Sequence, residues 1–358
     1  MANDRSAQKY QDQTASLQAA VKLVSFSQDG HRSAYNDVFT HLLRLQNVDI
    51  SAHHERSRVA FYPMLDDNIP VFLRSCLQNA LSGRRTVGLF FRPGECFRRD
   101  RVKYRLKNLL FRVLKRMPTI RILTIMPFHV DPRFALVAND WIHDPQLWDM
   151  DLLPAAETQD ALSATVRAAA NGRQVVVALG GQNRLKGFDR FATLWQSDLR
   201  LRQRYLFVAA GTVAAECAGD AQAFAEADGL LLDRFISDEE LLALYTASDL
   251  VWSCYAPHYN QASGIFGRAF QMGKPAIVRD GSYIATIARH LDHPVIAIAQ
   301  DNATATNELL SWPTEPAPAK AHTTMIAAMR QRDTQVLLSA FGIDVSGLKS
   351  AGTEPLAR

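Results

Sequence analysis

Short apolar runs alternate with amphipathic stretches along most of the chain. VKLVSFS (21–27) reads as a strand, followed by a glycine-containing turn and a helix over 33–46. VDI (48–50) and SRVAFY (57–62) are short strand candidates, and 68–81 has helical spacing. TVGLFF (86–91) is a buried strand ended by Arg92-Pro93-Gly94, 101–117 a helix, and IRILTIM (120–126) a further strand. Strands separated by helices predict a parallel α/β sheet.

A second run begins near residue 155. Helix 158–170 leads to strand QVVVALG (174–180), then a loop and a helix. YLFVAAG (205–211), GLLLDRF (229–235), DLVWSCY (249–255), PAIVRD (275–280) and PVIAIA (294–299) read as strands, with helices around 213–226, 238–247, 262–272 and 283–291 between them. Ser237 followed three residues later by Glu240 has the form of a capping box. SWPTEPAPAKA (311–321) is a proline-rich loop, a helix follows around 322–340, and the last dozen residues read as a loose tail. The reading is thus two doubly wound α/β domains, 1–150 and 151–315, then a segment 316–358 whose helix could pack back on the first domain.

Composition narrows the function classes. With 47% hydrophobic and 21% charged residues among 358, the chain is an ordinary globular protein. No run approaches the roughly 20 apolar residues of a membrane-spanning helix, and the polar first 20 residues lack the apolar core of a signal peptide. A cytoplasmic location is the expectation. Cys76, Cys96, Cys217 and Cys254 are too scattered for a zinc site or redox pair and read as buried thiols.

Charge is unevenly placed. Residues 84–121 hold 13 Lys/Arg and two acids, a local +11 inside a chain of net +4, so the remainder carries −7. Within this segment RVKYRLKNLLFRVLKRM (101–117) places Val102, Leu106, Leu109, Leu110, Val113, Leu114 and Met117 at helical spacing, with Arg101, Lys103, Arg105, Lys107, Arg112, Lys115 and Arg116 around them and no acid. Such a helix suits an anionic membrane surface or acceptor, with Arg92 nearby at a strand end. The stripe is expected to pack on the sheet while the cations face lipid. Nucleic acid is a poor fit, because aromatics are sparse and no binding motif is present.

Ligands of open α/β sheets bind beyond the carboxyl ends of the strands. GGQNRLKGFDRF (180–191) puts Arg184 and Lys186 in a strand-to-helix turn, where cations and free N–H groups suit a diphosphate. CYAPHYNQASGIFGRAFQMGKPAIV (254–278) puts Asn260, Gln261 and Ser263 ahead of a helix opened by Gly264 and Ile265, with Ser263 as N-cap or phosphate contact. Neither GxxxxGK[ST] nor GxGxxG occurs. Asp66-Asp67 and Asp149-Met150-Asp151 read as turn carboxylates. Trp141 and Trp148 read as core, with sugar stacking as the alternative.

Taken together, Lys186-Gly187, the strand LFVAAG, ISDEELLALYTASDLVWSC and the closing GRAFQMGKPAIV resemble the C-terminal domain of GT-B glycosyltransferases, especially glycosyltransferase family 4. The likeness spans about 172–290. It implies two Rossmann-like domains facing a cleft, with donor in the second and acceptor in the first. It also implies a nucleotide-sugar substrate without metal or cofactor, and retaining stereochemistry.

By this resemblance Arg184, Lys186, Ser263, Gly264, Ile265 and Gly30 would hold the donor diphosphate. Gln261, Arg234, Phe235 and Arg268 would face sugar or nucleoside, and His129 and Asn260 would stand at the reacting sugar. Two family glutamates are replaced, by Asn260 and Arg268, and Gly181 stands where the family has arginine. Arg268 cannot accept a hydrogen bond from ribose. The reading is sugar transfer from UDP- or GDP-sugar to a lipid-linked saccharide in bacterial surface-polysaccharide synthesis. The alternatives are an inert nucleotide-sugar-binding subunit or a GT-B-type sugar-nucleotide epimerase.

Overall fold

The computed structural model describes residues 20–25, 31–50, 57–150, 161–259, 261–314 and 322–343. The chain divides into two compact units, Met1–Pro145 with Arg330–Arg358, and Gln146–Met329.

The first unit is a parallel sheet of β1 (Val21–Leu23), β2 (Val59–Tyr62), β3 (Arg85–Phe90), β4 (Ile120–Thr124) and β5 (Asp140–Trp141), in that spatial order. Its helices are α1 (His31–Leu45), α2 (Ile69–Leu81) and α3 (Val102–Leu114). VDI contributes only a bridge from Ile50 to Val21, on the side of β1 opposite β2. That bridge reverses the winding and places helices on both faces. Phe61 meets Phe39 of α1 on one face, while Ala60 and Tyr62 share a buried cluster with Phe72 of α2 and Phe111 of α3 on the other. Asn68 caps α2 by accepting from Val71 N at 3.1 Å.

α3 meets the sequence expectation in part: Leu114 is buried and Leu110 and Met117 pack against the same cluster, but the other four residues of the stripe turn outward. Tyr104, Phe111 and Leu114 are buried, whereas Val102, Leu106, Leu109 and Val113 lie exposed. Periodicity identifies residues that share a face but not which face meets the sheet. Two of the cations also leave the membrane reading. Lys107 is turned inward between Asp66 (3.3 Å) and Glu95 (2.8 Å). Lys115 donates to the carbonyls of Ala135 and Ala138. Asp66, in the short turn Leu65–Asp67, accepts from the backbone N–H of Phe91 and Arg92 and so braces the end of β3.

The second unit runs α4 (Ala161–Ala170), β6 (Gln174–Leu179), α5 (Phe188–Ser197), α6 (Leu199–Arg204), β7 (Tyr205–Ala210), α7 (Ala218–Glu226), β8 (Leu230–Leu232), α8 (Asp238–Ala247), β9 (Leu250–Ser253), α9 (Gly264–Gln271), β10 (Ala276–Arg279), α10 (Tyr283–His290), β11 (Val295–Ile298) and α11 (Asn302–Ser311). Its parallel strands lie in the order β11-β10-β9-β6-β7-β8. Alternate β6 residues feed two cores. Val176 and Ala178 pack with Phe191 and Trp195 of α5, and Val175, Val177 and Leu179 pack with Val166, Leu244 and Ala269 on the opposite face. The Ser237–Glu240 capping box is formed in both directions. Helix α11 went unread in the sequence; its cap is Asp301, which accepts from Thr304 N at 2.8 Å. The four cysteines are free and buried.

The last helix, α12 (Thr323–Phe341), runs from the second unit back into the first. There Phe341 meets Phe61, and Asp333 accepts from His143 N at 2.8 Å. Among the described residues no helix is long and apolar enough to cross a membrane.

Candidate functional site

The sheet order of the second unit fixes where a ligand would bind. β6 is flanked by β7 on one side and β9 on the other. The chain leaves β6 for β7 and β8, then crosses back to β9 and β10, so the connections after β6 and β9 run to opposite sides, the topology at which ligands of open α/β sheets bind. Both loops singled out in the sequence leave from this point.

The β6 turn is built to hold Lys186. Asn183 accepts from the Lys186 N–H at 2.9 Å and sets the short turn Arg184–Lys186. Gly187 follows at φ +73°, and a Cβ there would lie 2.2 Å from the Cys254 carbonyl oxygen. Only glycine gives that backbone sign and that close approach to β9 without strain. Ala256 N donates to the Leu185 carbonyl and ties the same two loops again. Gln182, missed in the sequence, donates to the carbonyls of Ala178, Gly180 and Ala210, clamping the ends of β6 and β7.

The Lys186 ammonium lies over Gly180: a Cβ at Gly180 would stand 3.1 Å from Nζ and 3.9 Å from Ile265 Cδ1. The turn cation and the first residues of α9 are therefore neighbours. Burial lowers the Lys186 pKa, with no charged group acting against it, and no carboxylate among the described residues pairs with it. A desolvated cation without a counter-ion attracts an anion. Arg184 stands exposed in the same turn.

At α9, Ser263 is the N-cap, accepting from Phe266 N at 3.2 Å. Its hydroxyl is also 2.6 Å from Tyr255 Oη, whose own pKa burial pushes up. The first-turn N–H groups of Gly264 and Ile265 have no carbonyl within the helix, and the helix dipole adds positive potential there. A Cβ at Gly264 would strike the Gln146 side-chain oxygen at 1.9 Å, so this glycine admits Gln146. Gln261 is half-buried just before the cap. Asn260 and Gly30 lie outside the described residues.

Of the remaining donor-side candidates, Arg268 and Arg234 are engaged within the protein. Arg268 forms a two-pronged pair with Asp149, at 2.7 and 3.1 Å, and donates to Gln271 at 2.6 Å. Asp149 is buried in this pair. Arg234, beyond β8, pairs with Glu240 at 2.6 Å, and Phe235 beside it is 81% exposed. Lys274 caps the end of α8 through the carbonyls of Thr246 and Ser248.

In the first unit, His129 follows β4, is exposed and meets Trp141 edge-on. The Arg332 guanidinium lies 3.5 Å from the centre of the Trp141 ring, so that face is occupied. Trp148, in the second unit, is buried core. Arg92, Arg101, Lys103, Arg105, Arg112 and Arg116 are exposed.

No protein-family model matches the chain, and no curated protein sequence matches it. Solved structures do. A UDP-forming α,α-trehalose-phosphate synthase from Burkholderia xenovorans is similar at 13% identity and TM-score 0.58, over 88% of this chain and 80% of that one. HepE of Anabaena, solved in complex with UDP-glucose, is similar at 11% identity and TM-score 0.57, over 89% and 99%. A putative UDP-N-acetylglucosamine 2-epimerase from Listeria monocytogenes is similar at 10% identity and TM-score 0.53, over 91% and 97%. The fold is the two-domain Rossmann-like GT-B fold.

Proposed function

We propose that this protein is a glycosyltransferase that takes a sugar from a UDP- or GDP-sugar. The acceptor in this reading is a lipid-linked saccharide of bacterial surface-polysaccharide synthesis, and the reaction retains the anomeric configuration. The single observation that carries the donor assignment is the desolvated Lys186 ammonium, which has no carboxylate partner among the described residues. It stands beside the start of α9, at the point where the second sheet reverses direction.

In transfer, the bond from the anomeric carbon to the diphosphate breaks as an acceptor hydroxyl attacks, and negative charge grows on the leaving diphosphate. Fixed positive groups that need no reorganisation stabilise that charge most. Lys186 supplies a full charge, Arg184 a second from solvent, and α9 its first N–H groups and dipole. Ser263 holds the helix start in place. Asn260 and His129 are assigned to the reacting sugar, Gln261 to the sugar or nucleoside, and Gly30 to the diphosphate. Arg234, Phe235 and Arg268 shape the surroundings, Arg268 through Asp149 rather than by direct contact.

Thermal-shift titration with UDP, GDP and their sugars tests the donor site, because a ligand at 100 times its dissociation constant stabilises by about 2.7 kcal/mol. Lys186→Ala should abolish the shift and lower transfer to acceptor extracts roughly 100-fold or more. No shift with any nucleotide sugar would overturn the reading. Binding without turnover would identify an inert subunit, and interconversion of the donor sugar without acceptor would identify an epimerase.

A further inference from the structure

The outer face of α3 is apolar and exposed. Val102, Leu106, Leu109 and Val113 are 69%, 62%, 61% and 52% exposed. At 100° per residue these four fall within an arc of about 60°, opposite buried Tyr104 and Phe111. Arg105, Arg112 and Arg116 line one edge of the stripe and Lys103 the other, all exposed. The nearby acids are already neutralised: Asp100 pairs with Arg98 at 2.8 Å and Glu95 with Lys107 at 2.8 Å. The neighbouring helix α2, which shares the buried layer beneath α3, leaves Leu77 and Leu81 exposed as well.

We propose that the exposed Val102–Leu106–Leu109–Val113 stripe of α3 inserts into the surface of an anionic lipid bilayer, with the flanking arginines and lysine on the phosphate groups. Three observations select this occupant. The apolar stripe is continuous along the whole helix, as a surface-lying amphipathic helix requires. Its borders carry cations only, and long basic side chains reach from an apolar contact to a charged headgroup layer. A protein partner would favour a charge-depleted core with a polar rim, whereas this rim is cationic and no unpaired acid among the described residues borders the stripe. The face lies in the first unit and its assignment does not depend on the donor site.

Flotation of the full chain with vesicles tests the proposal. Binding is expected with phosphatidylglycerol vesicles at low salt, falling as salt rises, and weak with phosphatidylcholine alone. Leu106→Glu with Leu109→Glu should weaken binding at least roughly tenfold while leaving the thermal melt unchanged, since neither side chain packs inward. Arg105→Gln with Arg112→Gln should reduce the salt dependence. The proposal is overturned if the protein ignores phosphatidylglycerol vesicles at low salt, or if the glutamate variant binds as well as the parent. It is equally overturned if the chain self-associates through this face, so that the glutamate variant abolishes a dimer rather than lipid binding. Nucleotide-sugar binding is read separately, so either proposal can fail alone.

Discussion

At the residue scale the protein turns on two basic side chains with opposite fates. Lys186 is drawn out of solvent with no acid partner among the described residues, whereas Arg268 is part-buried and held by Asp149. For Lys186 the lowered pKa sets a pH dependence with a definite sign. A diphosphate binds the protonated ammonium, so affinity is full below the lowered pKa and declines as pH rises through it. The decline should begin below the ordinary lysine value of about 10.4. Titration calorimetry with UDP across the alkaline range measures this, and Lys186→Arg, which keeps its charge, should flatten it. An unchanged profile in the arginine variant would remove Lys186 from the site. For Arg268 the expectation is structural. Arg268→Ala strands a buried carboxylate at Asp149, and breaking a buried pair in this way costs about 3–5 kcal/mol. Urea unfolding followed at the second unit should show that loss. Sequence reading found Lys186-Gly187 because a cation and a glycine after a strand are local signals. It could not find the Arg268–Asp149 pair, because the partners lie 119 positions apart and nothing local links them.

At the element scale the contrast is between register and direction. The strands and most helices were legible because their apolar spacing is local, and the parallel sheets followed from alternation. The face of α3 was not legible. Its apolar residues spread over a wide arc, and counting them favours burying Val102, Leu106, Leu109 and Val113 together with Leu110, Leu114 and Met117. Lys107 decides otherwise, since its partners Asp66 and Glu95 arrive from the β2 and β3 loops, outside any helical window. Phe90 stacking on Phe111 at 4.4 Å fixes the same orientation. Lys107→Ala should therefore destabilise the first unit by about 3 kcal/mol or more, because Asp66 is left buried without its cation. Exposed neighbours set the scale: Arg105→Ala should cost within about 0.5 kcal/mol. Equal costs for the two, measured by denaturant unfolding, would show that the inward pairing does not hold α3.

At the scale of the whole molecule the chain passes from the first unit to the second near 145 and returns along α12 near 330. The first sheet is thus completed by the last described helix. Its contributions are specific. Phe341 packs on Phe61 of the central region of the sheet. Asp333, with a side chain 1% exposed, accepts from His143 N, His143 Nδ1 and Arg332 Nη1. The Gly342 turn follows against Arg85, which donates to the Ala340 carbonyl at 3.2 Å. A chain stopped at residue 329 keeps every strand of both sheets but loses all of these partners. Hydrogen exchange should then rise across β2 and β3 while β6 and β7 keep their protection, because backbone opening follows the local packing that closes it. Asp333→Ala should move the same strands in the same direction by a smaller amount, as it leaves the buried His143 N–H without its acceptor. Equal loss of protection in both sheets would mean that the units do not open independently. No change in either would mean that α12 closes the first unit in position only, without adding to its stability.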